Sequence, residues 1–186
     1  MDRSQMIYHR IRWITRTGIL TALLVVLQWV TAGTQAFAGQ YITGSCVNCV
    51  LAVAVLVGGL WSGVAVALIS PFCAFLLGIG PALIQLVPCI ALGNATLVIC
   101  LYFIIGRRPV PVWWQVIGAG VSAAAKFAVL YFAVIKVAIP AMGSVLKAPQ
   151  IQKFTVMFSW PQLITALIGC GTAILILPLV KKAIKS

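Results

Sequence analysis

The chain has 186 residues, 63% of them hydrophobic and 8% charged, and its 13 Lys and Arg face one acid, Asp2, for a net charge of +12. So much apolar surface excludes a water-soluble domain of this size and indicates a polytopic helical membrane protein. Nor does the charge signal nucleic acid, which needs a basic face with aromatic or polar readers. Most of the cations sit instead in three clusters between long apolar stretches: Arg3/Arg10/Arg12/Arg16, Arg107/Arg108 and Lys181/Lys182/Lys185.

Apolar length and helix breakers predict an all-α membrane protein of one domain, 1–186, with six spans. The first covers 14–32 and is followed by a Gly/Gln/Tyr-containing segment to 42. The second, 43–57, ends at Gly58–Gly59. The third, 60–77, stops at Gly78–Ile79–Gly80–Pro81. The fourth covers 82–105, with Pro88 expected to kink it near its start. Arg107–Arg108–Pro109 and Pro111 break the chain before the fifth, 112–139, which ends at Pro140. A polar loop with Lys147, Pro149, Gln150 and Lys153 then leads to the sixth, 156–180.

Basic residues concentrate at the cytoplasmic ends of membrane helices. Six crossings with a cytoplasmic N-terminus put all three clusters inside, Lys147 and Lys153 outside, and both termini in the cytoplasm. An odd number of crossings between the clusters breaks this agreement. The N-terminal arginines, the first apolar run and Ala36–Phe37–Ala38–Gly39 also resemble a cleavable signal peptide. Cleavage of residues 1–38 would leave five spans in the same orientation, so charge counting does not decide it.

Small residues four apart recur at Gly18/Ala22, Gly59/Gly63, Gly118/Ser122 and Gly169/Ala173, where helix backbones can approach closely. Internal packing explains most of these pairs; Gly18/Ala22 on the first helix is the candidate surface for a membrane partner. The six cysteines lie almost wholly in apolar runs and read as packing residues. Cys46–Val47–Asn48–Cys49 has redox or metal spacing, but no second pair accompanies it and His9 is the only histidine.

Polar groups inside spans are costly and therefore informative. Lys126 stands near the middle of the fifth span, where a lysine costs about 2.5–3.5 kcal/mol, so it should face the protein interior or a watered cavity. No span carries an acid to pair with it. Its partners are then carbonyls, Asn or Gln side chains, water or a ligand; a neutral or snorkelling lysine filling a helix interface is the plainer alternative. Asn94 falls at similar depth in the antiparallel fourth span and can meet Lys126. Toward the outer face lie Tyr41, Ser45 and Asn48, then Gln85, Tyr131, Phe158, Trp160 and Gln162. An aromatic belt explains Trp160 by itself, whereas the set together with Asn94 and Lys126 outlines a substrate pocket open to the outside.

Six short helices in under two hundred residues, basic cytoplasmic ends and Gly18/Ala22 on the first helix resemble the substrate-binding S-components of energy-coupling factor (ECF) vitamin transporters. Thr43–Gly44–Ser45–Cys46–Val47–Asn48, Gly78–Ile79–Gly80–Pro81, Gly93–Asn94 and Phe158–Ser159–Trp160–Pro161–Gln162 are similar to a branch associated with cobalamin uptake. The family often has Ala at both positions of the first-helix pair, and Gly18 departs from this while keeping the surface small. A Cys-ligated cobalamin branch is not indicated.

The resemblance implies capture of a vitamin, cobalamin as transported ligand rather than cofactor, in a multi-pass protein of a bacterial cell membrane. Gly18 and Ala22 would contact a transmembrane coupling subunit, and two cytoplasmic ATPases would supply hydrolysis. The sequence has no Walker A motif of its own, and no nucleic acid or metal is implied. Pantothenate, biotin or riboflavin is the alternative ligand; a carboxylate vitamin would use Lys126 as charge partner. A membrane enzyme lacks an acid–base constellation, since His9 and Asp2 lie on the basic tail. A proton- or sodium-driven carrier lacks an intramembrane carboxylate. A non-transporting scaffold would leave Lys126 and Asn94 without a role.

Overall fold

The computed structural model describes residues 3–32, 37–80, 83–143 and 146–185. These form α1 (Arg3–Ala32), α2 (Phe37–Gly58), α3 (Leu60–Leu76), α4 (Leu86–Leu101), α5 (Val112–Leu130), the short turn α6 (Ile139–Ala141), α7 (Ala148–Met157) and α8 (Trp160–Lys185). Two π-helical stretches, Tyr102–Gly106 and Tyr131–Ala138, extend α4 and α5. No strand occurs among the described residues.

Among the described residues, five stretches are long and apolar enough to cross a membrane: Gln5–Thr31, Gly39–Gly58, Leu86–Gly106, Val112–Ala141 and Ala148–Ala183; α3, with 17 residues, is apolar but shorter. Side-chain contacts order the ends of the bundle. Thr17 and Ser62 share a hydrogen bond of 2.8 Å, so α1 and α3 start at the same end. The start of α5 meets the end of α4 there, because a Cβ on Gly118 would lie 2.7 Å from Ile104. At the opposite end Thr43 donates to Thr31 at 2.8 Å and Gln40 donates to the carbonyl of Met157 at 2.9 Å. The three basic clusters therefore gather at one end.

Helix α2 runs through the middle and packs on α1, α3, α4 and α8. Leu51, Ala52, Ala54 and Val55 are all buried, joined by Leu24, Val66, Leu97, Val98, Leu101 and Ala173 in the main apolar core. Contact between such helices comes from close packing rather than from a hydrophobic difference with lipid, so small residues decide the spacing. A Cβ on Gly63 would lie 2.7 Å from both Val55 and Val98, and one on Gly93 would lie 2.5 Å from Leu130. A second apolar cluster fills the non-basic end, where Leu86, Leu130, Val134, Leu146, Phe154 and Phe158 are buried together.

Several boundaries differ from the sequence expectation. Helix α1 begins at Arg3 rather than at 14; its 30 residues span about 45 Å, more than the roughly 30 Å hydrocarbon layer. Apolar length does not detect a helix that continues into water. Helix α2 begins at Phe37, inside the segment expected to connect two spans, and Gln40 and Thr43 hydrogen-bond to neighbouring helices there. Pro88 occupies the first turn of α4, where the missing N–H is not required, so it has no ladder bond to break. The polar loop after Pro140 contains helix α7. Gly59, with φ of 84°, allows α2 and α3 to reverse direction across one residue. Ala36, of the cleavage-like motif, lies outside the described residues.

Candidate functional site

Lys126 is buried in the middle of the bundle, 3% exposed. Helix α5 carries it to a point where α2, α4 and α8 converge. Its Nζ donates to Asn48 Oδ1 at 2.6 Å and to Asn94 Oδ1 at 2.7 Å. Asn48 Nδ2 in turn donates to Thr165 Oγ1 at 3.5 Å, and Thr165 donates to the carbonyl of Gln162 at 3.2 Å. Asn48 and Asn94 are 1% and 2% exposed. The ammonium thus ties α5 to α2 and α4, and Asn48 carries the link on to α8.

Glycines make the convergence possible. A Cβ on Gly169 would lie 2.5 Å from the Ser45 carbonyl and 2.6 Å from Asn48 Cβ, and one on Gly44 would lie 2.9 Å from Thr165. Each of these glycines lies four residues from a network member on its own helix: Gly44 from Asn48, Gly169 from Thr165. Helices α2 and α8 therefore touch nearly backbone to backbone around the polar cluster. A buried charge is tolerated when paired or well hydrogen-bonded; here two amide dipoles replace a counter-ion. An ammonium group has three donors, and the two amide oxygens occupy two of them.

The remaining sequence-predicted residues divide between this network and the non-basic end. Ser45 is half-buried and turns its carbonyl toward Gly169. Tyr41 is half-buried in the first turns of α2. Gln85 is exposed at the start of α4. Phe158 is buried in the end cluster, 2% exposed. Gln162 donates to the carbonyl of Met157 at 3.2 Å. Trp160 is largely exposed and stacks on Phe127, with centroids 5.7 Å apart and planes at 21°; Phe127 also meets Tyr131 at 5.9 Å.

Lys126, Asn94 and Asn48 are brought together, whereas Gln85, Tyr131 and Trp160 stand away from them at the surface. The sequence reading missed Thr165 and Phe127. Thr165 lies three residues after Gln162 and Phe127 directly follows Lys126, but nothing in the sequence identifies their partners on other helices.

A different face carries Gly18 and Ala22. Both are exposed, and a Cβ on Gly18 would meet nothing within 4 Å. They line an open apolar groove between α1 and α3 of about 650 Å³, with Thr21, Val25, Ala65 and Ile69. Of the four small-residue pairs, this one faces outward; Gly63, Gly118 and Gly169 sit against neighbouring helices.

No cluster of three or more His, Cys, Asp or Glu is placed to hold a metal among the described residues. Cys46 and Cys49 are half-buried free thiols. Compared with known families, residues 12–181 match the description "ECF transporter, substrate-specific component". The chain belongs to that family. No curated protein and no solved structure matched it. As a family member it is a substrate-binding membrane subunit that works with an ECF module, and ATP hydrolysis sits in partner subunits.

Proposed function

We propose that this S-component crosses the membrane six times with both termini in the cytoplasm, captures cobalamin or a related corrinoid from outside, and delivers it to an ATP-driven ECF importer. Family membership over residues 12–181 is the observation that carries the transport reading. The gathering of Arg3, Arg10, Arg12, Arg16, Arg107, Arg108, Lys181 and Lys182 at one end supports the orientation. For six crossings α3 must span with 17 residues, at the short end of the usual range of about 17–25.

The ligand enters from the non-basic end, among Tyr41, Ser45, Gln85, Tyr131, Phe158, Trp160 and Gln162, with Asn48, Asn94 and Lys126 as its floor. An amide-fringed corrin ring matches Asn, Gln and aromatic contacts. It makes no demand on a Lys126 already engaged by two amide oxygens. A carboxylate vitamin such as pantothenate or biotin would have to take the ammonium from those oxygens. Gly18 and Ala22 form the contact for the transmembrane coupling subunit, whose two ATPases bias the loaded and unloaded states. Ligand affinity alone cannot drive repeated accumulation.

The test is thermal unfolding of the purified chain with cobalamin, cobinamide, pantothenate, riboflavin and biotin. A ligand present at 100 times its Kd adds about 2.7 kcal/mol of stability. Shifts with the two corrinoids alone support the reading. A shift with a carboxylate vitamin that disappears in Lys126→Met replaces the substrate and keeps the family role. No shift with any vitamin refutes cobalamin capture.

A further inference from the structure

The groove beside Gly18 continues toward the basic end of the bundle and changes character there. A second hollow of about 590 Å³ adjoins it, lined by Trp13, Trp61, Val64, Ala65 and Leu68. Trp13 and Trp61 are 40% and 74% exposed, and indoles of this kind favour the level of lipid headgroups. Ile14, Thr17 and Thr21 of α1 line the groove above them.

The same stripe of α1 leads from the groove into charge. Positions 3, 10, 14, 17 and 21 follow one another at helical intervals of seven, four, three and four, so they share a face. Arg10 and Arg3 therefore extend the line of Ile14, Thr17 and Thr21 beyond the tryptophans, and both are exposed. Since α1 exceeds the hydrocarbon thickness by about 15 Å, or roughly ten residues, this part of the helix passes through the headgroup layer. The chain has a single acid, Asp2, which can neutralise at most one of the two arginines.

An apolar trough with indoles at its rim and two aligned arginines beyond has the chemistry of an amphiphile site. We propose that the α1–α3 groove binds an anionic phospholipid of the adjacent leaflet, its acyl chain along Ala65 and Ile14 and its phosphate between Arg10 and Arg3. Cationic pockets at the cytoplasmic ends of membrane helices hold anionic headgroups in this manner. Gly18 and Ala22 line the same trough, so any protein docking there displaces the lipid.

Native mass spectrometry of the full chain tests the site, with phosphatidylglycerol or phosphatidylcholine titrated into detergent. The wild type is expected to retain one phosphatidylglycerol in preference to phosphatidylcholine. Arg3→Gln/Arg10→Gln should weaken retention roughly fivefold per arginine removed. Arg107→Gln/Arg108→Gln loses the same charge away from the groove and should leave retention unchanged. Trp61→Ala, an exposed substitution that spares the core, should weaken retention with every charge intact. Equal loss in the two arginine pairs would reduce the effect to diffuse attraction and overturn the site. Equal retention of phosphatidylcholine, no retained lipid, or a second copy of the chain in its place would each overturn it as well.

Discussion

The ammonium of Lys126 and the amide of Asn94 form a buried pair whose worth can be measured. In Asn94→Leu the ammonium loses one of its two protein acceptors and keeps Asn48 Oδ1 at 2.6 Å. A hydrogen bond to a charged group contributes about 1.5–3 kcal/mol, and the site at 2–3% exposure gives water little access to replace it. Asn94→Leu should therefore destabilise the chain by about 2 kcal/mol. Lys126→Met removes the charge itself: two amide oxygens lose their donor at about 1–3 kcal/mol each. Relief of the cost of a lysine at mid-membrane, about 2.5–3.5 kcal/mol, offsets most of that. In the Lys126→Met background, Asn94→Leu removes an amide already left without its donor and should cost nothing or even stabilise. The two changes should thus show a coupling of at least about 1.5–3 kcal/mol in a double-mutant cycle read by reversible unfolding in mixed micelles. Independent sites add within about 0.5 kcal/mol. Additivity at that level would refute the pairing and the convergence of α4 and α5 on one polar centre.

Gly169→Ala should cost about 1–3 kcal/mol in thermal unfolding, because its Cβ would lie 2.5 Å from the Ser45 carbonyl and 2.8 Å from the Cys49 nitrogen. Gly171→Ala, with nothing within 4 Å, should instead be neutral or stabilising by up to about 1 kcal/mol. Gly18→Trp is expected to leave ligand-dependent stability intact and abolish co-purification with a coupling subunit; unchanged co-purification would move that contact off α1. In a cysteine-free background, Lys147→Cys should react with an impermeant maleimide in intact cells. Arg108→Cys should react only after permeabilisation, and the opposite pattern would reverse the orientation.

Membrane residence, the all-helical class and the gathering of cations follow from the sequence alone. Ninety residues without a formal charge allow no aqueous fold, and hydrogen-bond satisfaction in lipid then forces helices. The helix boundaries were less legible. The arginine-bearing start of α1 and the polar start of α2 are helical, yet apolar length registers only the part of a helix that suits lipid. The cost of Lys126 marked it as an interior residue before any partner was known, and Asn94 was legible as a neighbour from matching depth in antiparallel helices.

Tertiary structure decided what depth along a helix cannot: rotation about its axis and distance to the next one. Asn48, expected nearer the outer face, joins the same ammonium because Gly44 and Gly169 let α2 and α8 close to backbone contact. Thr165 enters the network through that same closeness. Rotation also separates small-residue pairs with identical spacing, burying Gly169 against α2 and leaving Gly18 on an open groove. A one-dimensional pattern records how often a small residue recurs; only the packed bundle determines what stands opposite it.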